Sequence, residues 1–443
     1  MRKPRRAPPR SNRNTLPPRT VELTIDLLGA RGDGVARLDG ETVFVPFTVA
    51  GDRVLARIEG KRGDGLTAAL IEVLEPGPGR ATPPCAHYGR CGGCSAQHLD
   101  DALYAEWKRD LLVTQLARQG LAEVTVGPLV RVPPASRRRA DFTFVRAKGA
   151  ILLGFNGRAS HTVVDIERCP LLAPDLGAAL PGLRGMLAGI AVDGGGEMTV
   201  TLTEGGLDVL VEAPARLDLF ERETLAAAAE TLDLARLHWR RPGTGLPGGG
   251  FVEPIARRHP ATVHFAGIAV EPAPGAFLQP TRGGELAIAE AILSAIPKDV
   301  PVADLYAGCG SFSLPLALRG PVRAVEGEQG PVAALDAAAR AGGLPLTTEV
   351  RDLARRPLAA HELKAYPAVV LDPPRAGAAA QAAELAKPVR GGPTTIAMVS
   401  CNPATLARDL RTLCDGGWRI ERITPIDQFP WSAHLEAVTI LRL

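Results

Sequence analysis

Alternation of apolar and polar positions dominates the first part of the chain. VELTI, VARL, ETVFVP, DRVLARIE and LIEVLE are short alternating segments between residues 21 and 75, divided by turns such as Gly32-Asp33-Gly34. Five short strands in about 55 residues predict a small OB-like β-barrel. PGPGRATPP at 76–84 reads as a linker. Helical periodicity follows over 101–118, strands resume at Arg139–Arg146 and Ile151–Phe155, and MTVTLTEGGLDVLVE predicts a hairpin turning at Gly205-Gly206. From residue 276 the pattern changes. PVADLY, VRAVE, LTTEV, AVVLD and TIAMVS alternate with Ala/Leu-rich helical stretches, which predicts a parallel, doubly wound sheet. The fold class is therefore α/β: a basic disordered tail (1–20), an OB-like barrel (21–76), a mixed α+β central domain (77–275) and a Rossmann-like C-terminal domain (276–443). The helix at 101–118 is free to pack on the last of these.

Composition sharpens this picture at three points. The chain has 443 residues, 46% hydrophobic and 22% charged, enough for about three domains of roughly 150 residues each. No run of eighteen apolar residues exists, and the basic N-terminus lacks the apolar core of a secretory signal. A cytoplasmic protein is expected, with no membrane association and no protein partner implied, so a monomer. The seven cysteines then read as ligands, nucleophiles or core residues rather than as a disulfide frame. The net charge of +3 hides an asymmetry: seven of the 51 basic residues, and no acid, fall in residues 1–20, leaving 44 bases against 48 acids. Such a tail either adds affinity for nucleic acid or merely solubilises.

The candidate chemistry lies at the ends of the C-terminal strands. PVADLY runs into Gly308-Cys309-Gly310, a turn whose amides can approach a nucleotide-like ligand or serve only as a turn. Glu326 ends the next strand, 18 residues after Gly308, where a carboxylate suits a ribose. Ser313 replaces the third glycine of a dinucleotide fingerprint, so S-adenosylmethionine fits better. Asp352 and Asp372 end the third and fourth strands. The fifth ends in Ser400-Cys401-Asn402-Pro403. Asn402 can cap the following helix, and Pro403 suits its first position. Cys401 then stands at a helix N-terminus, where the dipole favours a thiolate, unless it is simply a small buried residue. Glu436 lies in the apolar segment HLEAVTIL, where burial would raise its pKa as a base needs; the alternative is a surface glutamate on an edge strand.

DLYAGCGSFSLP, LDPPRAG, SCNP and HLEAV, with FLQP at 277–280, occur in an order and spacing that resembles the RNA uridine-C5 methyltransferases. The resemblance runs over nearly the whole chain. Its barrel is similar to the TRAM domain, and Cys85-x5-Cys91-x2-Cys94 with Cys169 resembles the iron–sulfur site of the ribosomal-RNA branch. It implies Cys401 as nucleophile, Glu436 as base, and cofactor contacts at Gln279, Tyr306, Glu326, Asp352 and Asp372. Phe277 matches an aromatic near the flipped base, and Arg138, within the run Arg137–Arg139, an RNA-facing arginine. Thr281 and Ser311 depart from the family's frequent asparagines. Cytosine-C5 enzymes carry a second cysteine where this chain has Asp372-Pro373-Pro374-Arg375, which favours uridine.

Four thiolates suit zinc or an iron–sulfur cluster. A single CxxC with partners six residues before and 75 after favours [4Fe–4S] over the paired units of structural zinc. Cys309 and Cys414 read as packing residues, His87 and His98 as surface or core histidines, and His434 as a neighbour of Glu436 that orients substrate. The reading is methyl transfer from S-adenosylmethionine to C5 of a uridine in structured RNA, large-subunit ribosomal RNA first. Transfer RNA, or a non-catalytic RNA-binding or ribosome-assembly role, are the alternatives.

Overall fold

The computed structural model describes residues 15–192, 194–243 and 251–443. Residues 1–14, most of the expected tail, lie outside the described residues, and the first strand already begins at Thr15. The chain divides into two compact units, described separately.

The first unit comprises the described residues up to Gly89, Cys94–Trp107 and Trp431–Ala433. Its strands are β1 (Thr15–Thr24), β2 (Leu27–Leu28), β3 (Asp33–Leu38), β4 (Glu41–Pro46), β5 (Arg53–Arg62) and β6 (Gly65–Glu75), in sheet order β1-β5-β6-β4-β3-β2. The alternation seen in the sequence is the buried face: Val43 and Val45, then Val54, Ala56 and Ile58, enter one core with Leu23 and Ile25. The pairing order is that of a six-stranded sheet, and among the described residues no pairing between β1 and β2 records closure into the OB-like barrel expected from the sequence. His98 is a satisfied core histidine, its ring nitrogens 2.6 Å from the Tyr88 hydroxyl and 3.1 Å from the Thr48 carbonyl. Burial pulls its pKa down to about 4.

Helix α1 (Asp101–Arg118) leads into the second unit, which holds two sheets. The strands β7 (Val130–Arg131), β8 (Arg139–Ala147), β9 (Ala150–Asn156) and β10 (Val163–Asp165) come first, then helices α2 (Pro174–Ala178) and α3 (Leu180–Ala188). They are followed by β11 (Gly195–Thr203), β12 (Gly206–Glu212), α4 (Leu219–Thr231), β13 (Arg236–Arg240) and β14 (Val252–Arg257). The order β10-β9-β8-β11-β12-β13-β14 makes a mixed sheet around Phe142, Phe144, Val200 and Val209. Its hairpin pairs Thr203 with Gly206, so the turn residues are Glu204-Gly205, one position earlier than expected. Gly206 takes φ +113°, which only glycine adopts readily.

After the small hairpin β15 (Val263–Phe265) and β16 (Ile268–Val270), the chain alternates regularly. The elements are α5 (Arg282–Ala295), β17 (Val302–Leu305), α6 (Ser313–Ala317), β18 (Val322–Glu326), α7 (Gln329–Ala341) and β19 (Leu346–Val350). Then come α8 (Ala360–Leu363), β20 (Ala368–Leu371), α9 (Ala379–Leu385), β21 (Thr395–Ser400), α10 (Pro403–Asp415), β22 (Arg419–Asp427) and β23 (Glu436–Arg442). The sheet order is β19-β18-β17-β20-β21-β23-β22-β7. It is parallel through β21, as expected, but β23 inserts antiparallel to both β21 and β22. Both faces are covered, so the strands read as continuous apolar runs. Ala303, Leu305, Ile396 and Met398 meet the core containing Leu112 and Leu116 of α1. The intervening Val302, Ala397 and Val399 face Ile288, Ile292 and Phe312.

One buried charge ties α1 to this sheet. Lys108 sits on the apolar stripe of the helix, fully buried, 2.8 Å from Asp427 at the end of β22. Its ammonium also donates to the carbonyls of Phe429 and His434, at the two ends of the connection to β23. Removing one partner of such a pair strands the other charge in the interior. Lys108→Met is therefore expected to cost about 3–5 kcal/mol of stability, read as a lower urea midpoint at unchanged m-value; a loss below about 1 kcal/mol, the scale of exposed pairs, would contradict the clamp.

Candidate active site

The carboxyl ends of the central strands gather the residues singled out in the sequence. β17 ends at Leu305, and Tyr306 turns the chain with φ +64°, a left-handed conformation that is strained for a tyrosine. Both Tyr306 and Ala307 donate backbone N–H bonds to the Val325 carbonyl, fixing the glycine loop against β18. Glu326 caps that loop: one carboxylate oxygen accepts from the Gly308 amide at 3.0 Å, the other from the amides of Gly327 and Glu328. A Cβ built on Gly308 meets no described atom within 4 Å, so the loop borders open space. Asp352 is exposed and caps the turn after β19 by accepting from the amides of Ala354 and Arg355.

The nucleophile candidate is placed by β21 and α10. Asn402 caps the helix, accepting from the Ala404 amide at 3.1 Å, and Pro403 occupies the first turn. The Asn402 amide also donates to the Arg375 carbonyl, tying this turn to the Asp-Pro-Pro-Arg loop. In the antiparallel pairing of β21 with β23, Ser400 lies opposite Ala437. One further step along each strand sets Cys401 beside Glu436. That register brings together two residues separated by 35 positions.

Electrostatics here differ from the sequence expectation. A helix N-terminus was expected to lower the Cys401 pKa, yet the thiol is pushed up to about 11. Burial is the main cause, reinforced by the carboxylates of Glu436 and Asp372, and only Arg375 and the backbone oppose it. Glu436 behaves as expected: burial raises it to about 7. Asp372 is also raised well above its ordinary value, by burial and then by Glu436 and Asp304. Asp304, which the sequence reading passed over, is fully buried at about 7 and accepts from the Ser313 hydroxyl at 2.5 Å.

Two neutral amides bridge these carboxylates. Gln279 Nε2 donates to Asp372 at 3.2 Å. Gln428 Nε2 donates to Gln279 Oε1 at 2.7 Å and to Glu436 Oε2 at 2.9 Å. Glu436 Oε1 is buried and meets no hydrogen-bond partner among the described residues. Gln428 escaped the sequence reading; its one signal was a polar residue directly after the alternating strand of β22.

Other candidates take different places. Phe277 is 66% exposed, on the loop leading to Gln279. Arg138 does not offer a free guanidinium: its side chain is largely buried, 2.5 Å from Glu285, and donates to the Gln279 carbonyl. Its neighbour Arg137 stacks over the Phe429 ring at 5.8 Å. Thr281 caps α5, accepting from the Gly284 amide, and Ser311 lines a cavity with Arg282 and Pro315. His434 precedes β23, with Nδ1 3.2 Å from the Arg375 guanidinium. Cys309 is buried in the core with Leu314 and Leu335, and Cys414 packs half-buried on a different one, that of Leu406 and Leu410. Cys85 and Cys94 belong to the first unit, Cys91 and Cys169 to the second, all four half-buried. Among the described residues, no three His, Cys, Asp or Glu side chains form a group able to hold a metal ion. No helix among them is long and apolar enough to cross a membrane.

A doubly wound sheet with a glycine loop, a carboxylate at the second strand and a cysteine opposite a buried glutamate is the arrangement of an α/β protein with a ligand crevice at its strand ends. Comparison with known proteins specifies it. The sequence profile of the tRNA (Uracil-5-)-methyltransferases matches residues 346–443, and that of the TRAM domain residues 16–70. An RNA methyltransferase of Rhizobium meliloti is 44% identical, over 95% of this chain and 99% of that protein. The 23S rRNA (uracil(1939)-C(5))-methyltransferase RlmD of Chromohalobacter salexigens is 35% identical, over 95% of this chain and 88% of its own length. In fold, the crystal structure of the Pyrococcus abyssi tRNA (uracil-54, C5)-methyltransferase with S-adenosyl-L-homocysteine superposes with a TM-score of 0.75, at 23% identity, over 95% of this chain and all of that one. The chain belongs to the RNA uracil-C5 methyltransferase family and is an enzyme of that class.

The raised Glu436 makes a stability prediction. The unfolded carboxyl ionises near its ordinary value of 4.5 and the folded one near 7. Between these values the unfolded chain has released a proton that the folded chain still holds, so stability falls as pH rises through the window and stays lower above it. Glu436→Gln is expected to stabilise the protein by about 2–3 kcal/mol at pH 8 and hardly at all at pH 4.5. Denaturation midpoints at the two pH values check this; equal midpoints at pH 8 would refute it.

Proposed function

We propose that the protein transfers a methyl group from S-adenosylmethionine to C5 of a uridine in structured RNA, with Cys401 as nucleophile and Glu436 as base. The observation that carries this reading is the strand register that sets Cys401 beside Glu436 at the end of β21. The cofactor fits the residues present: the open space at Gly308, the Glu326 carboxylate beside it, and Asp372, Gln279 and Tyr306 at neighbouring strand ends. When bound, it supplies an electrophilic methyl group on a cationic sulfur.

Uracil C5 is a weak nucleophile. Addition of the Cys401 thiolate to C6 moves the C5–C6 electron pair towards C5 and O4, and the enolate-like C5 then takes the methyl group. The adduct still carries a hydrogen on C5. Glu436 Oε1 removes it as a proton; the electron pair reforms C5=C6 and expels the thiolate. At pKa near 7, Glu436 is half ionised at neutral pH and still basic enough for this step. Cys401 at about 11 must be deprotonated as substrate binds. Extruding the uridine costs a few kcal/mol, offset by phosphate contacts from basic residues.

Large-subunit ribosomal RNA is the substrate class, supported by the relative named for 23S rRNA and by the four-cysteine pattern. That cysteine spacing supports a [4Fe–4S] cluster on Cys85, Cys91, Cys94 and Cys169, with a structural or RNA-positioning role and no radical chemistry. A cytoplasmic location follows from the substrate. Incubation with S-adenosylmethionine and unmodified ribosomal RNA is expected to yield 5-methyluridine, and transfer RNA none. Product in transfer RNA alone would reverse the substrate assignment. Cys401→Ala is expected to retain RNA binding and lose product below detection; retained product would exclude the nucleophile. Anaerobically purified protein is expected to hold about four iron atoms per chain, and stoichiometric zinc would overturn the cluster.

A further inference from the structure

We propose that Gln428 is a positioning residue for the base: its side-chain amide commits one N–H to Glu436 Oε2 and the other to Gln279 Oε1, leaving Glu436 Oε1 as the oxygen that accepts the C5 proton. The proposal rests on the assignment of Glu436 as base given above.

The geometry is specific. Gln428 is fully buried, and its two donors bond at 2.9 and 2.7 Å. Because Gln279 Oε1 accepts from Gln428, its Nε2 is the group left to face Asp372, which it does at 3.2 Å. One amide thus sets the orientation of the second and, through it, links the base to the carboxylate at the end of β20. Space for Gln428 is made by Gly284 in the first turn of α5. A Cβ there would lie 2.6 Å from Gln428 Oε1 and 2.7 Å from its Cβ, so any larger residue must displace the side chain.

The chemistry explains why an amide stands here. A lysine or arginine in its place would stabilise the carboxylate strongly and make it a poor base. An apolar residue would leave both oxygens unheld and the carboxylate harder to ionise. A neutral donor orients one oxygen and opposes burial only in part, the direction its hydrogen bond takes on Glu436. It carries no charge and accepts no proton from the adduct, so in the proton-transfer step it acts only through Glu436.

The test uses the full-length enzyme, RNA substrate and S-adenosylmethionine. Gln428→Met keeps volume and removes both donors. Adduct formation is expected within about threefold of wild type, while release of 5-methyluridine at pH 7 falls about tenfold, the scale of a hydrogen bond to a charged group. The covalent protein–RNA adduct accumulates, and the acid limb of the release profile moves to higher pH. Gly284→Ala, which displaces the same side chain, is expected to show the same two signatures and serves if the first variant fails to fold. Unchanged release and pH profile in a folded variant, or a change confined to KM for S-adenosylmethionine, would overturn the proposal. Glu436→Gln separates the two layers. If it traps adduct while Gln428→Met behaves as wild type, only the positioning role fails; if it turns over normally, the assignment of the base fails.

Discussion

Two carboxylates enclosed in one pocket without a cation between them is the constraint on which the catalytic end of this protein depends. Burial raises the pKa of both Asp372 and Glu436, and on Asp372 the charges of Glu436 and Asp304 add to it. Ion pairing would relieve the repulsion but would also fix both groups as inert carboxylates. Amides from Gln279 and Gln428 bridge them instead. Burial is what keeps this glutamate basic near neutrality, and burial reinforced by the two carboxylates is what pushes the Cys401 thiol up.

Such a pocket needs rigid walls. The connection from β22 to β23 carries Gln428 at one end and Glu436 at the other, and Lys108 fastens both ends through Asp427 and two carbonyls. The cation that the carboxylate pocket excludes is thus placed one layer behind it, where it holds backbone. The cap at Asn402 does the same for the opposite wall, since its amide reaches the Arg375 carbonyl of the neighbouring loop.

Much of this was legible in the sequence because period and punctuation agree. The five parallel strands, the helix over 101–118 and the strand-end positions of Glu326, Asp372 and Cys401 follow from apolar runs ended by glycine, aspartate or asparagine. Pairing was less legible. Nothing in the alternation of the first 75 residues distinguishes a sheet from a closed barrel, because both bury every second side chain. The antiparallel insertion of β23 leaves no mark either, since a strand buried on both faces reads alike in either direction. Single polar residues were the other blind spot. Lys108 was detectable, being a charge on the stripe formed by Tyr104, Leu111 and Leu112, whereas Gln428 differs from a surface glutamine only through partners distant in sequence. Arg138 shows the same dependence on distant partners: within an arginine run that suggests phosphate, this one pairs with Glu285.

The insertion of β23 between β21 and β22 also orders events during synthesis. Strands β17 to β21 can pair as they emerge, and by then Cys401 and the glycine loop exist. Glu436 arrives later, on a strand that must slot between two already translated neighbours. A ribosome-bound chain therefore carries Cys401 in place before its neighbour Glu436. Until residue 442 is free to pair, Cys401 stands without that neighbour, so the site is completed in a single late step rather than built up by degrees.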